Sequence, residues 1–246
     1  GTSFTPLVEL TGPGIDPPRT TQGGDNDVAA TDFRLRGDGS HTIRVDAVAG
    51  SGDYRLDFTL VPGAGDGGAL PDPGLETGSL IPGEVLAFPF AATAGEHVIV
   101  TLTDTATPES PFSPRLQLVD PDGRPLDVSV NSQGEERDFD VGSVSAWANE
   151  PLGKTGTYTL LVSDGAFFAP GNYRLDFTKT PVTNDGTPAL QNDSDNPGSL
   201  VEGEVLAYQF EAQAGNSLVA AIGGKAPPFT PITELFGPDG SRVDLV

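Results

Sequence analysis

Short alternations of apolar and polar residues run the length of the chain, and no segment sustains an apolar stripe of helical period. In GDYRLDFT (52–59), Tyr54, Leu56 and Phe58 alternate with Arg55, Asp57 and Thr59, which predicts a strand with one packed and one solvated face. GNYRLDFT (171–178) repeats it with Tyr173, Leu175 and Phe177. HTIRVDAV (41–48) turns Ile43, Val45 and Ala47 inward, and TYTLLV (157–162) does so with Tyr158, Leu160 and Val162. Leu86, Phe88 and Phe90 form a further inward set, echoed by Leu206, Tyr208 and Phe210. PDG and GPDG stretches follow the FTP-type segments, and their turn chemistry predicts hairpins there. The fold class this predicts is all-β and antiparallel, built of many short strands.

The segments recur at a spacing of about 110 to 120 residues. GSLIPGEVLAF (78–88) returns as GSLVEGEVLAY (198–208), and TAGEHVIV (93–100) as QAGNSLVA (213–220), both 120 positions on. GDYRLDFT returns 119 positions on. FTPLVELTGPG (4–14), FSPRLQLVDPDG (112–123) and FTPITELFGPDG (229–240) are three versions of one strand and turn. One period therefore has the size of a single β-sandwich domain, and the chain reads as tandem sandwich repeats.

The repeats are out of register with the chain. Residues 78–180 carry a full set of pieces, 1–61 only the later ones, and 198–246 only the earlier ones. The stretches 62–77 and 181–197, rich in Gly, Pro and Asp, read as linkers, either flexible or stiffened by ions.

Composition narrows the function. With 35 acidic against 13 basic residues the net charge is −22, which repels nucleic acid and anionic membranes and leaves neither as a partner. Gly (32) and Pro (23) fit a turn-rich β protein. There is no cysteine, so neither disulfides nor a thiolate metal site is available. Methionine is absent too, position 1 included, which points to a processed chain or an excised piece. No apolar run is long enough to span a membrane.

Four elements carry a family resemblance: GSLxxGEVLAFPF at 78–90, the Ala94-Gly95 turn before an apolar strand, LxLxDPDG at 116–123, and GTYTLLVSD…GNYRLDF at 156–177. With them the chain resembles the bacterial pre-peptidase C-terminal (PPC) domain family. TNDGTPAL (183–190) resembles that family's Asn-Asp lead-in, while VLAF and VLAY depart from its usual Asp-Tyr-Phe. The resemblance implies a secreted, jelly-roll-like sandwich, appended to extracellular peptidases or strung along surface proteins, some members binding calcium near the linker and some binding collagen or glycans.

Candidate chemistry is sparse. His41 and His97 read as surface strand histidines, no nucleophile or phosphate-loop motif is present, and the chain is read as non-enzymatic. Calcium takes six to eight oxygen ligands. Asn184, Asp185, Asn192, Asp193 and Asp195, with Asn196, supply such oxygens in the second linker, and Asp25, Asn26 and Asp27 form a weaker cluster. A polar loop without metal is the plainer reading of both. Trp147 reads as core or as a platform for sugar stacking, and Asn192-Asp193-Ser194 matches a glycosylation sequon by pattern alone.

Half-sandwiches leave apolar faces and open edges, which recruit strands. The tail of one copy completes the head of the next, or adjoining repeats of a longer array do so, or head and tail meet within one molecule. The last would hold the FTP strand twice. The expected role is a secreted structural repeat protein forming a filament, stalk or surface fibre, in contact with copies of itself or adjoining repeats. The alternative is an accessory module that holds a secreted hydrolase on glycan, collagen or a cell-surface protein.

Overall fold

The structure, a computed structural model, describes residues 5–23, 34–63, 65–70, 72, 74–105, 110–126, 144–165, 167, 169–180, 190, 197–201, 204, 206–223, 233–239 and 242–243, with the backbone alone for 144–151 and 242. Among them lie thirteen strands and no helix: β1 Thr5–Gly12, β2 Ile15–Gln22, β3 Thr42–Ala49, β4 Gly74–Leu80, β5 Val85–Ala92, β6 His97–Asp104, β7 Pro114–Val119, β8 Pro125–Leu126, β9 Val144–Pro151, β10 Gly156–Asp164, β11 Gly171–Thr180, β12 Leu235–Phe236 and β13 Arg242–Val243. All paired strands are antiparallel.

β4 to β11 form two four-stranded sheets, ordered β4-β11-β6-β9 and β5-β10-β7-β8. The pairs β4·β11, β5·β10, β6·β9 and β7·β8 nest like one long ribbon rolled up, which is the connectivity of a jelly roll. The inward residues of both sheets meet in a single core that includes Phe88, Val100, Leu102, Leu118, Leu160 and Leu175. The Phe90 ring stacks on Tyr158 at 5.8 Å and tilts against Phe177 at 4.8 Å, joining the two layers. Phe112 crosses directly over Gly171, where an added Cβ would come within 2.2 Å of the ring, so no larger residue fits beneath it.

The first unit holds a smaller sheet ordered β2-β1-β3. Its Pro17 and Pro18 sit on the edge strand β2, where a missing N–H costs no ladder bond. In β1·β3, Val8 faces Val45 and Leu10 faces Ile43. The matching residues of β7·β10 face each other identically, Leu116 with Val162 and Leu118 with Leu160. Turns at Pro13-Gly14, Pro121-Asp122 and Pro238-Asp239 close hairpins after all three FTP-type segments.

Four sequence expectations need correction. Residues 52–59 and 206–220 form no strand, although their counterparts are β11, β5 and β6. A strand needs a neighbour for its main-chain groups, and no ladder partner lies beside either segment among the described residues. Phe58 is accordingly 63% exposed, whereas Phe177 is 2% exposed. Ala47 is exposed rather than inward. His97 is buried rather than superficial, because β6 is flanked by β11 and β9.

Candidate functional site

Three strands of a four-stranded sheet leave an edge, and β3 carries it. In the middle unit the edge of β10 away from β7 is taken by β5, while β3, the counterpart of β10, has among the described residues β1 on one side only. Antiparallel ladders alternate the side to which main-chain groups point. On β5 the outward groups are those of Val85 and Ala87: Thr59 donates to Val85 O at 3.3 Å, Ala87 N–H donates to Asp66 Oδ1 at 2.9 Å, and Gly67 N–H donates to Ala87 O at 3.0 Å. Leu86, Phe88 and Phe90 therefore face β10, and Tyr158, Leu160 and Val162 face back toward them. By the shared register, His41, Ile43 and Val45 present their main chain at the open edge of β3.

The third unit holds the converse feature. Leu190 N–H donates to Gln209 O at 3.1 Å, on the side that Val85 and Ala87 give to the first linker. Leu206, Tyr208 and Phe210 thus turn their main chain the other way, where no hydrogen-bond partner stands among the described residues. Their side chains are 38–39% exposed, although Phe88 and Phe90, their middle-unit counterparts, are buried.

An ion-pair triad recurs at both junctions between units. Arg55 bonds Asp57 at 3.1 Å and lies 3.9 Å from Glu84. Arg174 bonds Asp176 at 2.7 Å and lies 3.7 Å from Glu204. Burial raises the Asp57 and Asp176 carboxyls above the ordinary 3.8, against the pull of their arginines, and the neighbouring glutamate adds to the rise in each. Beside the first triad a hollow of about 300 Å³ is lined by Phe58, Thr59, Leu60, Gly63 and Asp66.

A second charged cluster braces the middle unit. Asp120 Oδ1 accepts from the N–H groups of Asp122 at 2.8 Å and Arg124 at 2.9 Å, while Lys154 pairs with both Asp120 and Asp122. Burial alone would raise Asp120, but the Lys154 and main-chain hydrogen bonds outweigh it and hold the carboxyl below 3.8. Tyr158 completes the brace, its hydroxyl donating to Lys154 O at 2.9 Å and accepting from Lys154 N–H at 3.1 Å.

The calcium candidates Asn184, Asp185, Asn192, Asp193 and Asp195, with Asn196, and the cluster Asp25, Asn26 and Asp27 lie outside the described residues. Among the described residues no group of three or more His, Asp or Glu side chains is placed to hold a metal ion. NDGTPAL (184–190) matches GDGGAL (65–70) in sequence, which aligns Asp185 with Asp66, and Asp66 uses its carboxylate to cap a main-chain N–H. That match was the available signal for a strap over the strand edge, and the alternation pattern alone does not reveal it. Trp147 falls on β9 opposite Val100. His41 is half-buried and its ring nitrogens lie 3.1 Å from Gly39 O and 3.3 Å from Pro13 O. The His97 ring lies 6.4 Å from that of Phe236, and its Nδ1 has no hydrogen-bond partner among the described residues. Among the described residues no helix is long and apolar enough to cross a membrane.

No family model matches the chain, and no curated protein sequence matches it. Among solved structures it is similar to PliG of Salmonella Typhimurium, a periplasmic lysozyme inhibitor of g-type lysozyme, at 16% identity over 46% of this chain and 96% of that one, with a TM-score of 0.33. The PliG of Aeromonas hydrophila, also a periplasmic inhibitor of g-type lysozyme, matches at 13% identity over 50% of this chain and 94% of that one, with a TM-score of 0.30. A beta-porphyranase of glycoside hydrolase family 86 from Bacteroides plebeius matches at 12% identity over 73% of this chain and 30% of that one, with a TM-score of 0.22. Scores this low describe local β likeness, and none carries a function across.

Proposed function

We propose that the protein is a secreted, non-enzymatic structural repeat protein of PPC-like sandwiches, whose units extend into a filament, stalk or surface fibre. Strand complementation between half-sandwiches, or adjoining repeats in a long array, completes the flanking units. One observation carries the reading: side chains that form the core of the middle unit stand exposed in both flanking units, at Tyr54, Leu56 and Phe58 and at Leu206, Tyr208 and Phe210. Burying each such side chain is worth about 1.5–3 kcal/mol, so completion is strongly favoured. The alternative role, an accessory module for glycan, collagen or a cell surface, calls for an aromatic cluster on a finished sheet face. The exposed aromatics Tyr54, Phe58, Tyr208 and Phe210 lie instead on segments without a ladder, which favours assembly.

Electron microscopy and sedimentation velocity of the purified chain test this. Fibres or concentration-dependent oligomers are expected, strengthened by salt because the net charge of −22 repels like copies. Monodisperse particles at all concentrations and salt levels overturn it. Calcium on the oxygens of linker 181–197 belongs to the same reading. EDTA then lowers the melting temperature or dissolves fibres, and an unchanged melt removes the metal.

A further inference from the structure

We propose that residues 206–212 of a second copy of this chain add to the open edge of β3 as its fourth strand, in a register the middle unit already displays. The inference rests on the self-association reading above and gives it one interface and one partner.

Both halves of the missing pair are present, each with one side of its main chain without a ladder among the described residues. β3 repeats the ladder of β10 against its FTP-type neighbour, residue for residue, and lacks only the strand that β5 provides. Residues 206–212 repeat β5, 120 positions on, with Leu206, Tyr208 and Phe210 where Leu86, Phe88 and Phe90 stand. In β5·β10, Val162 faces Leu86, Leu160 faces Phe88 and Tyr158 faces Phe90. Transferred to the flanking units, Val45 faces Leu206, Ile43 faces Tyr208 and His41 faces Phe210. The hydrogen-bonding sides agree as well. His41, Ile43 and Val45 present their main chain at the open edge, and the linker bond at Gln209 leaves the facing side of Leu206, Tyr208 and Phe210 vacant among the described residues. Ile43 and Val45 are half-buried on the same face that the incoming apolar ridge would cover.

Within one molecule β1, β2 and β3 make no ladder with residues 198–223 among the described residues. The contact joins the head of one molecule to the tail of another. It is heterologous and propagates. Every sandwich in the resulting row is then flanked by the same Arg–Asp–Glu triad, since Arg55 with Glu84 and Arg174 with Glu204 stand on its two sides.

The chain contains no cysteine, so introduced thiols report without background. Leu161 faces Ala87 in the ladder at a non-hydrogen-bonded position, which makes Arg44 and Ala207 the corresponding pair, with Cα atoms about 4.5 Å apart once the strand has added. Mixing the single variants Arg44→Cys and Ala207→Cys under oxidation should give a disulfide-linked dimer. Arg44→Cys mixed with Glu211→Cys, four residues out of register on the same strand face, should lose it. A synthetic peptide of residues 204–213 with Cys at 207 should be captured by the Arg44→Cys chain in the same way, which keeps the test independent of how the Ala207→Cys chain folds.

Sedimentation of the same samples separates the two levels of the argument. Association without preference for 44–207 over 44–211 overturns this interface and leaves self-association standing. Absence of both association and cross-link overturns both. A bond that forms only within the double variant Arg44→Cys/Ala207→Cys as a monomer overturns the second copy as occupant.

Discussion

The middle and third units share two turns but not the strand between them. In the middle unit Glu84 N–H donates to Ile81 O at 3.0 Å and Ile81 N–H to Glu84 Oε2 at 2.8 Å; in the third, Glu204 and Val201 do the same at 3.1 and 2.8 Å. At the next turn Gly95 has φ +94° and Gly215 φ +95°, with Glu96 N–H to Thr93 O at 3.1 Å and Asn216 N–H to Gln213 O at 2.9 Å. Yet the residues between those turns are β5 in one unit and without strand in the other. The first unit teaches the same lesson with a closer match. GDYRLDFT and GNYRLDFT differ only at Asp53 and Asn172, and one lies exposed while the other is the central strand β11. A turn is closed by bonds within four residues. A strand is made by its neighbours, and here the neighbours differ.

The sharpest way to break this comparison is to truncate the same residue twice. Phe177→Ala should lower the unfolding free energy by about 3–5 kcal/mol, while Phe58→Ala should cost less than about 0.5 kcal/mol in the unassembled chain. Urea melts read both, and equal costs would show that the two copies share one environment. In assembled material Phe58→Ala should become expensive, since completion buries it.

Acid titration of the melting temperature distinguishes the charged groups of the two regions. Asp120 has a folded value below 3.8, so its stabilisation is present above 3.8 and is lost as pH falls through that lower value. Asp57 and Asp176 are raised, so their contribution is full below 3.8 and fades as pH rises through their folded values. Acidification from neutrality should therefore first help at the junctions and afterwards weaken the middle unit. Asp120→Asn should flatten the steep acid limb and leave the earlier rise in place; an unchanged acid limb would remove Asp120 from this role.

The smallest effect concerns the junction arginines. Arg174→Gln and Arg55→Gln each remove a partly exposed pair, worth about 0–1 kcal/mol. The Arg174 change should be the larger, because Asp176 is more deeply buried than Asp57 and keeps its desolvation when the partner goes. Matched thermal melts of the two variants decide the order, and a larger loss at Arg55 reverses the ranking of the junctions.

Alternation at Tyr158, Leu160 and Val162 and at Tyr173, Leu175 and Phe177 was enough to place those residues in a core, because both neighbours of each strand belong to the same unit. The identical alternation at Tyr54, Leu56 and Phe58 misled, since periodicity reports which side could pack and says nothing of whether a partner is there. The Lys154 brace on Asp120 and Asp122 joins residues about thirty positions apart, and no local pattern announces it. Asp66 became recognisable as a cap only from its bond to Ala87.

From the sequence alone came the β class, the recurrence of its segments and the hairpin turns, all of which follow from short-range chemistry or from comparing the chain with itself. Only the tertiary structure decided which copy of each segment is a strand, which edge stays open and which main-chain groups face it. Hydrogen bonds across a sheet join residues far apart in sequence, so a strand's existence depends on what lies beside it.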